Sequence, residues 1–204
     1  MEIIYSDKDI AVCVKPVGID SESGVPAELK NELGGEFFTL HRLDLNVGGV
    51  MVYARNKWTA AELSRAITDG SMVKEYLAVV HGAPPDSDRW TDLLFKDSHK
   101  NKVFVVKRER KGVKRAELEF EKLRQDTDTA LVKIRLYTGR SHQIRVQFAS
   151  RKHPLIGDGK YGSKVNCPIA LFSARICTKG MEICGKPPIE QPWNIFDEGI
   201  YDEL

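Results

Sequence analysis

The chain has 204 residues, 42% of them hydrophobic and 29% charged, with a formal net charge of +2. That length can bury a substantial core, as one large domain or a domain with a small lobe, and no window approaches the roughly 18 apolar residues of a membrane span. The start, Met1 to Asp7, lacks a basic region followed by an apolar one, and Cys13, Cys167, Cys177 and Cys184 form no Cys-x-x-Cys pair and have no histidine at ligand spacing. A cytoplasmic protein with reduced core thiols is expected, without a disulfide framework, a zinc site or a membrane anchor.

In chain order, apolar runs predict strands at residues 10–14, 50–54, 73–80, 103–106, 116–123 and 130–136. Residues 26–33 are a helix candidate. Asn56 reads as the N-cap of a helix through Thr68, with Ala60, Leu63 and Ile67 on one face and Gly70 at its end. Another helix is expected over residues 142–152, capped by Ser141. Gly82-Ala83-Pro84-Pro85 and Lys186-Pro187-Pro188 mark turns. There is no internal repeat. Runs of strands with only a few helices do not suit the alternation of a doubly wound fold, so an α+β fold is expected: a mainly antiparallel mixed sheet flanked by a few helices.

Charge is unevenly distributed. Residues 107–115 carry Lys107, Arg108, Arg110, Lys111, Lys114 and Arg115 against Glu109 alone, a pattern that reads as a basic hairpin tip able to touch RNA or simply a soluble loop. From Ile189 onward, Glu190, Asp197, Glu198, Asp202 and Glu203 stand without a lysine or arginine.

Two blocks carry chemistry: His41-Arg42-Leu43-Asp44, and Gly139-Arg140-Ser141-His142-Gln143-Ile144-Arg145. Asp44 lies between Leu43 and Leu45, ahead of an apolar run, where a carboxylate must be paired or protonated. Arg145 falls in the first turn of the expected helix, an end at which the macrodipole disfavours a cation unless another charge offsets it. Asp44 is the obvious offset. Taken singly, Asp44 reads as a turn residue and Arg145 as an exposed helix residue; their joint occurrence reverses that balance. Tyr76, in the expected strand with Lys74, Ala78 and Val80 on its side, reads by itself as a core aromatic.

In order and spacing, His41 to Asp44, Lys74-Glu75-Tyr76 and Gly139 to Arg145 resemble the RluA-type pseudouridine synthases. So do Lys15-Pro16-Val17-Gly18 near the start and the loop from His153 to Gly162. The resemblance is strongest over residues 3–180 and implies one catalytic domain over 1–204, with 181–204 an acidic extension and no added RNA-binding domain ahead of it. It implies isomerisation of uridine in structured RNA, ribosomal or transfer, without cofactor or metal, and nothing in the sequence demands more than a monomer. Asp44 would be the acid, Arg145 its cationic partner, and Tyr76 would pack on the target base and help move the C5 proton. Arg42 would insert near a flipped nucleotide or make a salt bridge within the loop, and His41 would contact RNA or brace the turn. Arg140 with the helix-start amides would bind phosphate, joined by Lys74 and His142, while Arg151, Lys152, Lys160 and Lys164 extend the basic surface. Attack at C1′, addition to the base and removal of the C2′ proton all begin from the same ionised carboxylate. One departure stands out: Val47-Gly48 occupies a place where the family commonly carries Thr-Ser, which bears on loop rigidity rather than on chemistry. The alternatives are a non-catalytic RNA-binding or ribosome-assembly protein of the same fold, and a hydrolase needing a second carboxylate. Asp158, in a Gly-Asp-Gly loop, is the nearest second carboxylate and reads as structural.

Overall fold

A computed structural model describes residues 1–202; Glu203 of the acidic extension lies outside the described residues. The first elements in chain order are β1 (Glu2–Ser6), β2 (Ile10–Lys15), α1 (Gly24–Leu33), β3 (Phe38–Thr39), β4 (Gly48–Ala54) and α2 (Lys57–Asp69). Next come β5 (Val73–His81), β6 (Ser87–Asp97), β7 (Lys102–Val106), β8 (Val113–Gln125) and β9 (Thr129–Leu136). Then follow α3 (Gln143–Ser150), β10 (Leu171–Thr178) and β11 (Met181–Cys184). The fold is α+β, and the chain resolves into two compact units: Met1–Lys74 with Phe172–Pro187 and Tyr201, and Glu75–Leu171 with Pro188–Ile200.

In the first unit β4 is central. All seven of its residues are buried, which is why Val50-Met51-Val52-Tyr53-Ala54 reads as an unbroken apolar run rather than an alternation. β2 pairs antiparallel along one edge, β10 pairs parallel at Gly48 and Gly49, and β3 pairs antiparallel at Tyr53 and Ala54. Gly49 permits the close approach of β10: its φ is +128° and a Cβ there would lie 2.4 Å from the Ser173 amide nitrogen. α2 begins where expected. The Asn56 side chain accepts from the Thr59 N–H, Gly70 ends the helix at φ 80°, and Leu63 and Ala66 pack on Val12, Val52 and Ile176.

The second unit is antiparallel throughout, in the order β5-β9-β8-β6-β7. Trp90, Phe120 and Phe148 form an aromatic cluster between this sheet and α3, with centroids 4.5 to 5.2 Å apart. Asp92 on β6 ties α3 down by accepting from Gln147 and Arg151, each at 2.8 Å.

Three sequence expectations change. Residues 107–115 are not a hairpin tip: β7 and β8 both pair with β6, one on each side, so the segment crosses from one edge of β6 to the other before entering β8. Ser141 does not cap α3. The chain enters that helix through His142 at φ 49°, with no side-chain cap, because a turn closed by the Gln143 N–H on the Arg140 carbonyl places Ser141 one residue too early. Of the cysteines only Cys13 is in the core, where burial pushes its thiol up to about 12; Cys184 is exposed, since it points outward from β11.

Candidate active site

The motif residues divide between the units: His41, Arg42, Asp44 and Lys74 in the first, Tyr76, Arg140, His142 and Arg145 in the second. Asp44 is half-buried between buried Leu43 and exposed Leu45. Both neighbours are pinned through their backbone. The buried Ser21 hydroxyl accepts from the Leu43 N–H and donates to the Leu43 carbonyl, both at 3.1 Å, and Tyr53 donates to the Ser21 carbonyl at 2.8 Å. On the other side the Leu45 carbonyl accepts from the Gly18 N–H at 2.8 Å and from Lys15 Nζ at 3.4 Å. The Asp44 loop is thus held from both sides without hydroxyls at positions 47 and 48. Val47 is instead a core residue, and a Cβ on Gly48 would stand 3.2 Å from the Lys15 carbonyl.

Lys15 was not singled out as a functional residue by the sequence beyond its place in Lys15-Pro16-Val17-Gly18. It is fully buried, and its ammonium also donates to the Pro16 and Ile19 carbonyls at 2.9 and 2.8 Å. Burial pulls its pKa down to about 8, against the opposing pull of the Asp20 and Asp44 carboxylates. A cation therefore lies within electrostatic reach of Asp44 inside the first unit.

His41 fills a gap in the ladder of β4. Between the residues that pair with β10 and those that pair with β3, the Val52 N–H donates to His41 Nε2 at 3.3 Å and Ser173 donates to the Val50 carbonyl at 3.0 Å. Burial, and secondarily the Lys74 charge, push the imidazole pKa down to about 3, so the ring is neutral and Nε2 is its acceptor. Lys74 is itself buried, which lowers its pKa from the ordinary lysine value. Arg42 is exposed and pairs with Glu22 at 2.9 Å, both side chains well over half accessible. Such a pair is worth about 0–1 kcal/mol, so a phosphate can take over the guanidinium at little cost.

In the second unit the Arg145 guanidinium grips Asp158 through two bonds, Nε to Oδ2 at 2.6 Å and Nη2 to Oδ1 at 2.9 Å. Asp158 has no accessible surface and Arg145 only 5%. The sequence offered Asp44 as the counter-charge at the start of this helix; within the second unit the carboxylate on Arg145 is that of Asp158, from the loop that follows. That loop is built around Asp158, whose carbonyl accepts from the amides of Tyr161, Gly162 and Ser163 at 3.1 Å each. The Tyr161 ring lies 5.2 Å from the Arg145 guanidinium, and its hydroxyl meets His142 Nδ1 and the Val103 N–H, both at 2.9 Å. Tyr161 therefore gathers His142 and Arg145 around one side chain, a role its place in the closing Gly-Lys-Tyr-Gly run did not announce.

Tyr76 is 6% exposed on β5, opposite Ile134, which in turn opposes Phe120. Cross-strand pairing puts all three on the face covered by the aromatic cluster and α3. Arg140 is exposed, with Nε on the Arg115 carbonyl at 2.9 Å; its N–H donates to Gln143 Oε1 at 3.0 Å, which also accepts from Thr138 at 2.8 Å. Arg151, assigned to a basic surface from sequence, is engaged with Asp92 and lies 4.2 Å over the Trp90 ring. Among the described residues no group of three or more His, Cys, Asp or Glu side chains could hold a metal ion, and no helix is long and apolar enough to cross a membrane.

Comparison with known proteins places these residues in context. The sequence profile described as RNA pseudouridylate synthase matches residues 9–150, a stretch containing Asp44, Tyr76 and Arg145. An uncharacterised RNA pseudouridine synthase of Mycoplasma pneumoniae is 35% identical over 174 residues, covering 80% of this chain and 56% of that protein. The dual-specificity RNA pseudouridine synthase RluA of Yersinia pestis is 34% identical over 173 residues, covering 79% of this chain and 82% of its own. The chain thus spans little more than half the length of several curated relatives that it matches. Among solved structures, human RNA pseudouridylate synthase domain containing 4 superimposes with a TM-score of 0.79 at 22% identity, covering 92% of this chain and 88% of that one, a likeness of fold.

Proposed function

We propose that this chain, which belongs to the RNA pseudouridylate synthase family, isomerises uridine in structured ribosomal or transfer RNA within the cytoplasm, residues 1–204 serving as one catalytic domain of a monomer. The C1′–N1 bond is broken, the uracil turned, and the ring rejoined through C5, whose proton leaves. The observation that carries this reading is Asp44 on a loop pinned at both peptide neighbours, inside the stretch that matches the family. A carboxylate on a backbone held this firmly is available to each of the three routes that start from its ionised form, and rigid support of the reacting group is what such a step requires.

Arg145 is assigned as the cation that favours the charged acid, and Tyr76 as the aromatic that packs on the target base and assists the C5 proton. Arg42 takes the nucleotide being extracted, because its surface pair with Glu22 is easily exchanged. Arg140, Lys74 and His142 contact RNA. His41 we assign to support of the loop, its acceptor being already engaged by Val52.

The test is release of tritium from RNA labelled at uridine C5, with free uracil measured alongside. Release of tritium without free uracil is isomerisation; labelled free uracil without release to water identifies a hydrolase, and neither product from any cellular RNA identifies a non-catalytic binder. Asp44→Asn abolishes release while RNA affinity stays within a few fold, and Arg145→Ala also inactivates. Retained activity in Asp44→Asn removes Asp44 from the chemistry.

A further inference from the structure

The sheet of the second unit has two unlike faces. Trp90, Leu94, Val103 and Ala116 point to the side packed by α3, so by strand alternation Leu93, Phe95, Phe104, Val106 and Val113 stand on the other. The register sets them in rows: Phe104 opposes Phe95, which opposes Val113, and Val106 opposes Leu93, which opposes Arg115. Phe104 is 36% exposed at the edge strand.

Charge divides this outer face in two. Toward β9 the cations are neutralised across strands, with Arg89 on Glu117 at 2.5 Å, Arg135 on Glu119 at 3.7 Å and Lys133 on Glu121 at 3.4 Å. Toward β7 they are not. The Arg110 guanidinium lies 4.5 Å from the Phe95 centroid, and Lys102 Nζ lies 6.0 Å from the centroid of Phe104 and 5.2 Å from that of Tyr161. Lys107, Arg108 and Lys111, in the segment that leaves β7, are exposed without a carboxylate partner among the described residues.

From this juxtaposition we propose that the outer face of β6 and β7, with the crossing segment 107–112, is a second RNA surface. Unpaired bases stack on Phe104 and on the Arg110 guanidinium that covers Phe95, and their phosphates run along the cations. The features are those of a single-strand platform: π-faces that accept any base, set in a positive field that tracks the backbone. A second copy of this chain fits poorly, because it would bring the same uncompensated positive charge to the contact. The choice of polymer rests on the RNA reading above, but the surface is independent of Asp44.

The experiment measures anisotropy of a fluorescein-labelled single-stranded oligouridylate with the full chain at fixed salt. Phe104→Ala weakens binding by about 5- to 150-fold, the range expected for loss of one stacked base, and Phe104→Trp restores it with quenching of the new indole. Lys107→Glu with Lys111→Glu, on exposed loop positions that spare the core, weakens binding and flattens its salt dependence. Wild-type affinity in Phe104→Ala and in the charge-reversed variant overturns the proposal. So does loss, in Phe104→Ala, of a concentration-dependent dimer with RNA binding unchanged. Asp44→Asn must bind the oligouridylate as wild type does. A chain that releases no tritium yet loses this binding on Phe104→Ala keeps the surface and forfeits the enzyme, and the converse result does the opposite.

Discussion

Removing the carboxylate of Asp158 should damage this protein more than any other single change to its polar interior. The Asp158 side chain is wholly inaccessible and takes two charge-assisted bonds from Arg145, whose own side chain is 7% exposed. Taking two ions out of water is expensive, and only the close bidentate geometry offsets it. In Asp158→Ala the guanidinium stays where α3 puts it, at the helix start where the dipole adds to its charge, with this counter-ion gone. Breaking a buried pair from one side costs about 3–5 kcal/mol. For a chain of this size that is about 6–20 °C in Tm.

Asp158→Asn keeps the shape and one acceptor but turns an amide N–H toward the guanidinium, so it should fall between wild type and alanine. Urea unfolding at neutral pH measures both. The informative control is the double variant Asp158→Ala with Arg145→Met, in which neither ion is buried alone: it should recover much of the loss, giving a coupling energy of about 2 kcal/mol or more. A loss below about 1 kcal/mol in Asp158→Ala, or strict additivity in the double variant, would refute the buried-pair account of this loop.

Two pH-dependent outcomes follow from buried bases in the first unit. Lys15 has its pKa drawn down to about 8 from the ordinary 10.5, so between those values the unfolded chain holds a proton that the folded chain has released, and folding stability contributed by this group rises with pH. Comparison of wild type with Lys15→Met should show the difference shifting toward wild type across that window, while activity falls as the ammonium loses a donor to the Pro16, Ile19 and Leu45 carbonyls; a flat difference disproves the assignment. His41, drawn down from 6.5 to about 3, also binds its proton more readily when unfolded, so stability is lost as pH falls from about 6.5 toward 3. His41→Phe should blunt that acid limb and cost about 1–3 kcal/mol at neutral pH, by leaving the Val52 N–H without an acceptor; an unchanged acid limb in stability measured by urea would remove His41 as its source.

Elements with a strong local signature were legible in the sequence, and those defined by their neighbours were not. β4 shows as an apolar run because it is buried on both faces, β9 because Ala130, Leu131, Val132 and Ile134 are buried while Lys133 and Arg135 face outward, and α2 shows because Asn56 and Gly70 mark its ends. β6 has no long apolar run to announce it: Ser87-Asp88-Arg89 and Thr91-Asp92 are polar, yet its inward residues Trp90 and Leu94 suffice once β8 and β7 lie alongside. β1 and β11 are short and half-exposed, and β10 is broken in pattern by Ser173 and Arg175, which serve a cross-strand bond to Val50 and a pair with Glu182. The residues proposed to carry the chemistry come from the motifs, as identities. Their supports do not. Nothing local to Asp158 indicates Arg145 thirteen positions earlier, and nothing local to Lys15 or Ser21 points to the carbonyls and amides of residues 43 and 45.

The same distinction explains why a net charge of +2 says little about affinity for a polyanion. Several cations are structural: Lys15 on three carbonyls, Arg55 on the carbonyls of Asp7 and Leu33, Arg145 on Asp158 and Arg151 on Asp92. To reach a phosphate each would have to abandon bonds made in partial or complete burial, at a cost of about 1–3 kcal/mol per lost charged hydrogen bond. Arg42, Lys107, Arg108 and Lys111 surrender at most a surface pair worth about 0–1 kcal/mol. Some of the 29 acids that offset 31 cations are grouped apart from them: Glu190, Asp197 and Glu198 lie in the C-terminal stretch with no cation between them. What would govern an encounter with RNA is the subset of cations that are both exposed and uncommitted, Lys107, Arg108 and Lys111 among them.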